Sequence, residues 1–316
     1  MVGVHGVPGD SGVVVLFPGQ GSQARDMRDR VRRWCPELGE AAQRALGADP
    51  FSQVRESTAF AQPAIFCASV AGWRAIKQVL EPAAVAGHSL GEFAALVAAG
   101  SISPLDALQL VLRRGRLMEE AEQSHGGGMI AVSGPSLERV QAIAERCGVV
   151  IANDNSPSQL VLSGSATSIE RAFEESRAAG LRAAHLPVCG AFHSPLMADV
   201  GEQLQAALAE VEIGPPALPA LCTTTCAPFI DVATELTLGI TRPVLWRQSV
   251  EHLHGVGYRR FVEAGPGTAL GKLARRTLGD CAEVLTLDAG VYGDGVSAVA
   301  LSEKAPGGRE GGARDV

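Results

Sequence analysis

Aromatic side chains are scarce in this chain of 316 residues, at 4%, and charged side chains make up only 19%. Alanine, valine and leucine are abundant among the 46% of residues that are hydrophobic. A core of small aliphatic side chains favours helices packed closely on a parallel sheet. A glycine or a charge interrupts each apolar run before it reaches the length of a membrane span, so we expect no membrane partner.

The seven cysteines are an odd number and are spread along the chain. Secreted disulfide frameworks are usually short chains with paired cysteines, so these thiols indicate a reducing, cytoplasmic location. Residues 1–11 lack a basic segment followed by an apolar one, and we therefore expect no secretory signal. Cys222 and Cys226 have no second cysteine or histidine pair at zinc-site spacing, so we expect no metal site.

Basic residues are fewer than acidic ones, 27 against 34, so the formal net charge is −7. This balance argues against a nucleic-acid partner, and the chain contains no basic segment interleaved with aromatic residues. Residues 25–33 do carry five arginines. The simplest interpretation of that run is a solvated helical face.

The most informative stretch begins with a short apolar run, Ala83–Ala86, which has strand character. It meets the sequence Gly-His-Ser-Leu-Gly at 87–91, and a helical pattern of small residues follows. A G-x-S-x-G motif between a strand and a helix is a nucleophile elbow, which would present Ser89 at the head of a helix. There the N–H of Leu90 and the helix dipole favour a developing oxyanion. The alternative is an ordinary corner whose serine only caps the helix.

A second loop follows the β-branched run Val13–Phe17, which predicts a buried parallel strand. The loop, 18–23, is rich in glycine and leaves backbone N–H groups free to face a ligand. It could cradle a phosphate, although neither a Walker pattern nor G-x-G-x-x-G is present. It could also supply an oxyanion donor beside the elbow, or form a simple tight turn.

Arg114 lies within a predicted helix that opens at Ser103-Pro104. Its neighbours three and four positions away are all apolar: Leu110, Val111, Leu117 and Met118. A guanidinium on an apolar stripe is costly unless an anion meets it. The partner is therefore either a distant carboxylate of the protein or a bound anion, for which a planar fork is well suited.

A serine nucleophile needs a base, and His193 is the strongest candidate among seven histidines. It follows Gly190 in a loop before a helix cap, where a side chain can face a cleft. Such a base also needs an acceptor that orients it, which can be a carboxylate or a backbone carbonyl. Spacing alone does not choose between them.

Between Met129 and Leu186 the predicted elements alternate as β-α-β-β-α-β, the order of a ferredoxin-like unit. We therefore predict an α/β fold in which 126–187 is an inserted subdomain. The larger catalytic domain would then be discontinuous, comprising 12–125 and 188–290. We expect the ends, 1–11 and 291–316, to be flexible because they are rich in glycine, serine and charge.

Together these motifs resemble those of the malonyl-CoA:acyl carrier protein transacylases and the acyltransferase domains of polyketide synthases. The resemblance covers roughly 13–277 and rests on several motifs in the same order, namely FPGQGSQ at 17–23, QPA at 62–64, GHSLGE at 87–92, RGRLM at 114–118, NSPSQ at 155–159, AFHS at 191–194, PVLW at 243–246 and EAGPG at 263–267. It implies an α/β-hydrolase-like large domain with a parallel sheet, carrying a ferredoxin-like subdomain.

The resemblance also implies the catalytic roles. Ser89 would be the nucleophile and His193 the general base, while the backbone N–H groups of Gln20 and Leu90 would form the oxyanion hole. A backbone carbonyl before the Pro-Val-x-Trp motif would orient the histidine, and the aligned residue is Gly239.

Four side chains would then bind the acyl group, if the resemblance holds. Arg114 would hold the free carboxylate of a malonyl group, with Gln62 lining the same pocket and Asn155 at its border. Phe192, in the Ala-Phe-His form of the motif, would leave little room for a substituent on the acyl α-carbon.

The substrate implied is a coenzyme A thioester, malonyl-CoA, with no tightly bound cofactor. The partner would be an acyl carrier protein, for which Lys272, Arg275 and Arg276 are candidate docking residues. Two other functions remain open: a trans-acting polyketide acyltransferase with a different acyl unit, and an acyl hydrolase that edits carrier proteins. A non-catalytic scaffold would have no use for Ser89 and His193.

Overall fold

The structure of the protein is a computed structural model that describes residues 12–134 and 136–286. The ends for which the sequence predicts flexibility, 1–11 and 291–316, lie outside these residues.

The strands of the described residues are β1 (Val13–Phe17), β2 (Pro82–Gly87), β3 (Gly128–Ser133), β4 (Val150–Ser156), β5 (Gln159–Gly164), β6 (Arg182–His185), β7 (Ala220–Cys222), β8 (Ala227–Pro228), β9 (Arg260–Glu263) and β10 (Glu283–Thr286). The α-helices are α1 (Met27–Trp34), α2 (Pro36–Leu46), α3 (Thr58–Ile76), α4 (Gly91–Ala98), α5 (Pro104–His125), α6 (Leu137–Cys147), α7 (Ala166–Ala178), α8 (Ala198–Leu208), α9 (Val232–Thr241), α10 (Trp246–Gly255) and α11 (Ala269–Leu278). Short 3-10 turns occupy Pro195–Met197 and Gly279–Cys281.

The larger sheet has the order β10-β9-β1-β2-β7-β8, and its neighbours are parallel except for the pair β7–β8. β1 lies inside the sheet, and all five of its residues are buried. Alternate side chains of β1 enter two different apolar clusters on the two faces of the sheet. A strand covered on both faces explains why this sequence is apolar without alternation.

The smaller sheet has the order β4-β5-β3-β6 and is antiparallel throughout. Its strands and the helices α6 and α7 all fall within 126–187, and they enclose an apolar cluster of their own. The order β-α-β-β-α-β and this strand arrangement confirm the predicted ferredoxin-like unit. The strands of the larger sheet all come from 12–125 and from the chain after 188.

The two sheets are joined close to the elbow through β4 and the start of α10. The backbones of Ala152 and Asp154 exchange hydrogen bonds of 2.8 and 2.9 Å with Val244. The buried carboxylate of Asp154 also accepts from Nε and Nη2 of Arg247, at 3.0 and 2.7 Å. This two-point ion pair therefore links the small subdomain to the large one.

Candidate active site

Ser89 lies at the turn between β2 and α4, with a left-handed backbone φ of 52°. A Cβ on Gly87 would lie 2.1 Å from the carbonyl carbon of Gly91, and a Cβ on Gly91 would lie 1.9 Å from the backbone oxygen of Phe17. Only glycine fits at either position, so the sharp turn predicted from the motif is present. It holds the Ser89 hydroxyl at the head of α4 in a conformation that costs free energy.

The imidazole of His193 faces this hydroxyl. Its Nε2 lies 2.9 Å from Ser89 Oγ, and its Nδ1 lies 2.7 Å from the carbonyl oxygen of Gly239 on α9. Because that carbonyl can only accept, it places the proton on Nδ1 and leaves Nε2 free to accept from the serine. The sequence left a carboxylate or a carbonyl open as the orienting group, and the structure places a carbonyl there.

His193 is buried, and this burial together with the charge of Arg114 lowers its pKa to about 3. The imidazole is therefore neutral near pH 7, the form that a general base requires. His193 has a backbone φ of 56°, so the base, like the serine, is held in a left-handed conformation.

Arg114 is 4% exposed, and it lines the cleft beside the serine. Its Nη2 donates to Ser89 Oγ over 2.9 Å, and its Nη1 donates to Gln62 Oε1 over 2.6 Å. Burial lowers the pKa of Arg114 to about 10, so the group remains a cation at neutral pH. Within 12–134 and 136–286 no carboxylate forms an ion pair with Arg114. Its exposed neighbour Arg113, in contrast, lies 3.9 Å from the carboxylate of Glu210. The buried carboxyl of Glu92 acts on Arg114 from a distance and favours its charged form, but it does not pair with the guanidinium. A buried cation with no carboxylate in direct contact is suited to binding an anion.

The structure corrects the predicted position of Gln62. Its side chain is fully buried on α3 and lies behind Arg114 rather than in the wall of the cleft. Its amide oxygen accepts from Arg114, and its amide nitrogen lies 3.1 Å from the sulfur of Met118. Gln62 therefore orients the guanidinium and does not line the pocket.

Asn155 lies next to His88 and lines the cavity that adjoins the cleft, so its predicted place at the border of the pocket is not contradicted. Asn153, rather than Asn155, lines the cleft beside Ser89 itself. The side-chain oxygen of Asn155 lies 3.0 Å from Nε2 of His88, and its nitrogen donates to Gln159 over 3.2 Å. Burial lowers the pKa of His88, so a neutral imidazole donates to Asn155. The residue before the nucleophile thus points away from the serine, as the elbow predicts, and links it to the small subdomain.

The cleft around Ser89 has a volume of about 550 Å³ and lies between the two subdomains. Gln20 and Leu90, the predicted oxyanion donors, both line it, and so does the ring of Phe192. In the part of the chain that the structure describes, the backbone N–H of neither Gln20 nor Leu90 is used in a hydrogen bond. Both groups are available to the oxyanion of a tetrahedral intermediate.

Two carboxyl groups near the site were not predicted. Glu122 lines the cleft together with Arg114 and Met118, which precede it on α5 at steps of four residues. Residues at this spacing share one face of a helix, so Glu122 could have been predicted from the position of Arg114. Glu92 is buried at the start of α4, and its Oε1 accepts from both the N–H and the hydroxyl of Thr223 at 2.7 Å. Burial raises the pKa of Glu92 to about 7.

Further candidates from the sequence lie away from this cleft. Lys272 and Arg276 line a neighbouring cavity of about 290 Å³, which shares Gln20 and His88 with the cleft. Arg275 donates to the backbone oxygen of Val284 over 2.5 Å. Among the described residues no cluster of side chains could hold a metal ion, and no described helix is long and apolar enough to span a membrane.

The fold and the serine–histidine pair are those of an acyl-transfer enzyme. Residues 41–292 match the model of the acyl transferase domain, and this chain belongs to that family. It is 36% identical over 284 residues to the malonyl CoA-acyl carrier protein transacylase of Salmonella typhimurium, covering 83% of this chain and 91% of that protein. It is 37% identical over 302 residues to the polyketide biosynthesis protein ThaF of Burkholderia thailandensis, covering 91% of this chain and 26% of that much longer protein.

Solved structures show the same fold. The malonyl-CoA:acyl carrier protein transacylase of Xanthomonas oryzae superposes with a TM-score of 0.81 at 33% identity, covering 88% of this chain and 95% of that one. A type II polyketide malonyl-transacylase in complex with its acyl carrier protein superposes with a TM-score of 0.79 at 31% identity, covering 87% of this chain and 94% of that one. The α/β-hydrolase-like body with a ferredoxin-like subdomain, predicted from the sequence, is confirmed.

Proposed function

We propose that this chain transfers a malonyl group from coenzyme A to the phosphopantetheine thiol of an acyl carrier protein, through an ester on Ser89. The observation that carries the malonyl assignment is the position of Arg114. A buried guanidinium 2.9 Å from the nucleophile faces the place that the acyl group must occupy. A malonyl group carries a free carboxylate, which would neutralise this cation in a two-point contact.

In the first half-reaction Ser89 Oγ attacks the thioester carbonyl carbon while His193 Nε2 takes its proton. The carbonyl oxygen becomes an oxyanion, which the backbone N–H groups of Gln20 and Leu90 stabilise. The intermediate collapses, the carbon–sulfur bond breaks, and His193 returns the proton to the coenzyme A sulfur. The acyl group is left as an ester on Ser89.

The second half-reaction reverses these roles. His193 removes the proton of the phosphopantetheine thiol, and the sulfur attacks the ester carbonyl. When the carbon–oxygen bond breaks, His193 returns the proton to Ser89 Oγ. Throughout, the Gly239 carbonyl holds the Nδ1 proton and so keeps the tautomer fixed. The thioester itself supplies the leaving group, so this chemistry requires no resident cofactor.

Arg114 also separates this proposal from an editing hydrolase. Neutral acyl chains would leave a buried cation without an anion, which costs free energy. The ring of Phe192 in the cleft wall favours an unbranched acyl group over one with an α-substituent.

For the carrier protein we propose docking beside Lys272 and Arg276. Both are exposed on α11, at the rim of the cavity that adjoins the cleft. A local basic surface is needed because the chain as a whole is acidic.

The deciding experiment is to incubate the protein with radiolabelled malonyl-CoA and to isolate the labelled protein. Addition of holo-carrier protein is expected to discharge the label to the carrier, whereas addition of buffer leaves it bound. Rapid release of free malonate in buffer would show a hydrolase instead. Ser89→Ala is the control that must take up no label.

A further inference from the structure

The arginine run at 25–33 does not form one uniform solvated face. Arg30 turns inward, where its Nη1 donates to the backbone oxygen of Gly265 over 3.1 Å. Arg25, Arg28 and Arg32 follow one another at steps of three and four residues. They therefore share one face, which is formed by α1 and the turn before it. This face is therefore separate from the buried side chain of Arg30.

These three arginines line a cavity of about 420 Å³, together with Arg55 from the segment before α3. The acidic residue among the lining residues is Asp29. Arg28 is paired with Asp49 at 2.6 Å and its guanidinium lies over the ring of Phe51. These contacts fix one wall of the cavity in place.

The other three guanidiniums, of Arg25, Arg32 and Arg55, form no ion pair with any described carboxylate. Cations held together at one concave surface raise the local positive potential, even on an acidic protein. Planar guanidiniums in this arrangement are suited to phosphate, which they can contact at two oxygens.

The cavity adjoins the cleft that holds the nucleophile. Gln23, Val54 and Arg55 line both the arginine cavity and the Ser89 cleft. In an acyl-CoA the pantetheine arm separates the thioester from the diphosphate and the 3′-phosphate. A phosphate site for the acyl donor is therefore expected outside the acyl pocket but next to the same cleft, which is where this cavity lies.

We propose that Arg25, Arg32 and Arg55 form the site that binds the phosphates of the acyl-CoA donor. The inference rests on the proposed function, since it identifies where the nucleotide end of that substrate lies. It assigns the donor and the carrier to different surfaces, because Lys272 and Arg276 line another cavity.

The test measures KM for the parent and for the double variant Arg25→Ala/Arg32→Ala with three donors. The donors are malonyl-CoA, malonyl-dephospho-CoA, and malonyl-pantetheine, which has no phosphate. Two lost charge-assisted contacts at an exposed site are expected to raise KM for malonyl-CoA about tenfold. KM for malonyl-pantetheine and for the carrier protein should stay at the parent value. An intermediate rise with malonyl-dephospho-CoA would show that the 3′-phosphate supplies part of the contact.

The matched control is Arg44→Ala, which removes an exposed arginine of α2. Arg44 lies 3.7 Å from Glu40, and neither residue lines the cavity. An unchanged KM for malonyl-CoA in the double variant, or an equal rise with malonyl-pantetheine, would overturn the inference. So would a rise confined to the carrier protein, because the arginines would then serve the acceptor. Calorimetric binding of free coenzyme A is measured in parallel and needs no turnover, so loss of this site is distinguished from failure of the proposed reaction.

Discussion

The guanidinium of Arg114 donates a hydrogen bond of 2.9 Å to the hydroxyl of Ser89, and its other terminal nitrogen is held by Gln62 at 2.6 Å. The cation that would select the acyl group and the atom that would carry it are thus in direct contact. Substrate selection and chemistry share one small volume, and the first prediction follows from this.

Arg114→Ala is expected to lower kcat/KM for malonyl-CoA by roughly 100-fold or more, because a buried charge-assisted contact is lost. Activity with acetyl-CoA, which has no carboxylate to bind, should be kept or increased. The control is Arg113→Ala, which removes the exposed neighbouring arginine. An equal loss with both donors would show that Arg114 has a structural role only.

The second prediction concerns pH. Since the pKa of His193 is lowered from 6.5 to about 3, its base form persists well below neutral pH. The kcat/KM for malonyl-CoA is therefore expected to be flat from about pH 8 to about pH 5, whereas an ordinary histidine would lose most of its base form over that range.

Arg114 is one of the two main causes of this lowered pKa, after burial. Removing its charge stabilises the imidazolium, so the pKa of His193 should rise. With acetyl-CoA as donor, the acid limb of the Arg114→Ala profile is expected at a higher pH than that of the parent. Identical acid limbs would contradict the electrostatic coupling.

Glu263 supplies a prediction on stability. This buried carboxyl accepts from the N–H groups of Leu270 and Gly271 at the start of α11, and burial raises its pKa from 4.5 to about 7. The folded state therefore binds the proton more tightly than the unfolded chain. Its contribution is complete below pH 4.5 and is lost as the pH rises through about 7.

In Glu263→Gln this pH-dependent loss is absent. Urea unfolding at about pH 5 and about pH 7.5 should show the parent losing stability relative to the variant, by at most about 1.4 kcal/mol per pH unit. Glu283→Gln, at an exposed carboxyl on β10, is the control. A parent and variant with parallel pH dependence would rule out the assigned titration.

The elbow glycine Gly91 gives a fourth prediction. Its Cβ would lie 1.9 Å from the backbone oxygen of Phe17, so Gly91→Ala requires the central strand to move. We expect a loss of more than about 3 kcal/mol of stability, or no folded protein. Gly201→Ala, in the interior of α8 with its nearest contacts at 3.8 Å, should instead gain about 0.5–1 kcal/mol in thermal or urea unfolding.

The fifth prediction tests the carrier surface. Lys272→Ala/Arg276→Ala is expected to raise KM for the carrier protein severalfold, with a rise that shrinks at high salt because exposed charges are screened. KM for malonyl-CoA should not change. The comparison variant is Arg139→Ala, an exposed arginine on α6 of the small subdomain. An unchanged KM for the carrier would remove these residues from the interface.

Much of the site could be predicted from the chain itself. Gly87 and Gly91 flank Ser89 in a pattern that only a sharp strand-to-helix turn explains, and that turn is local. Arg114 stands out because every neighbour on its helical face is apolar, which is also a local property. The continuous apolar run Val13–Phe17 likewise predicts a strand covered on both sides.

The contacts between residues that are far apart in the sequence were decided only by the tertiary structure. His193 and Gly239 are 46 residues apart, and the 2.7 Å contact between them exists because α9 folds back over the loop of the base. Packing also put Gln62 behind Arg114 and turned Asn155 toward His88, which periodicity cannot reveal. Local sequence specifies turns and faces through short-range sterics, whereas the choice of partner comes from long-range packing around the sheet.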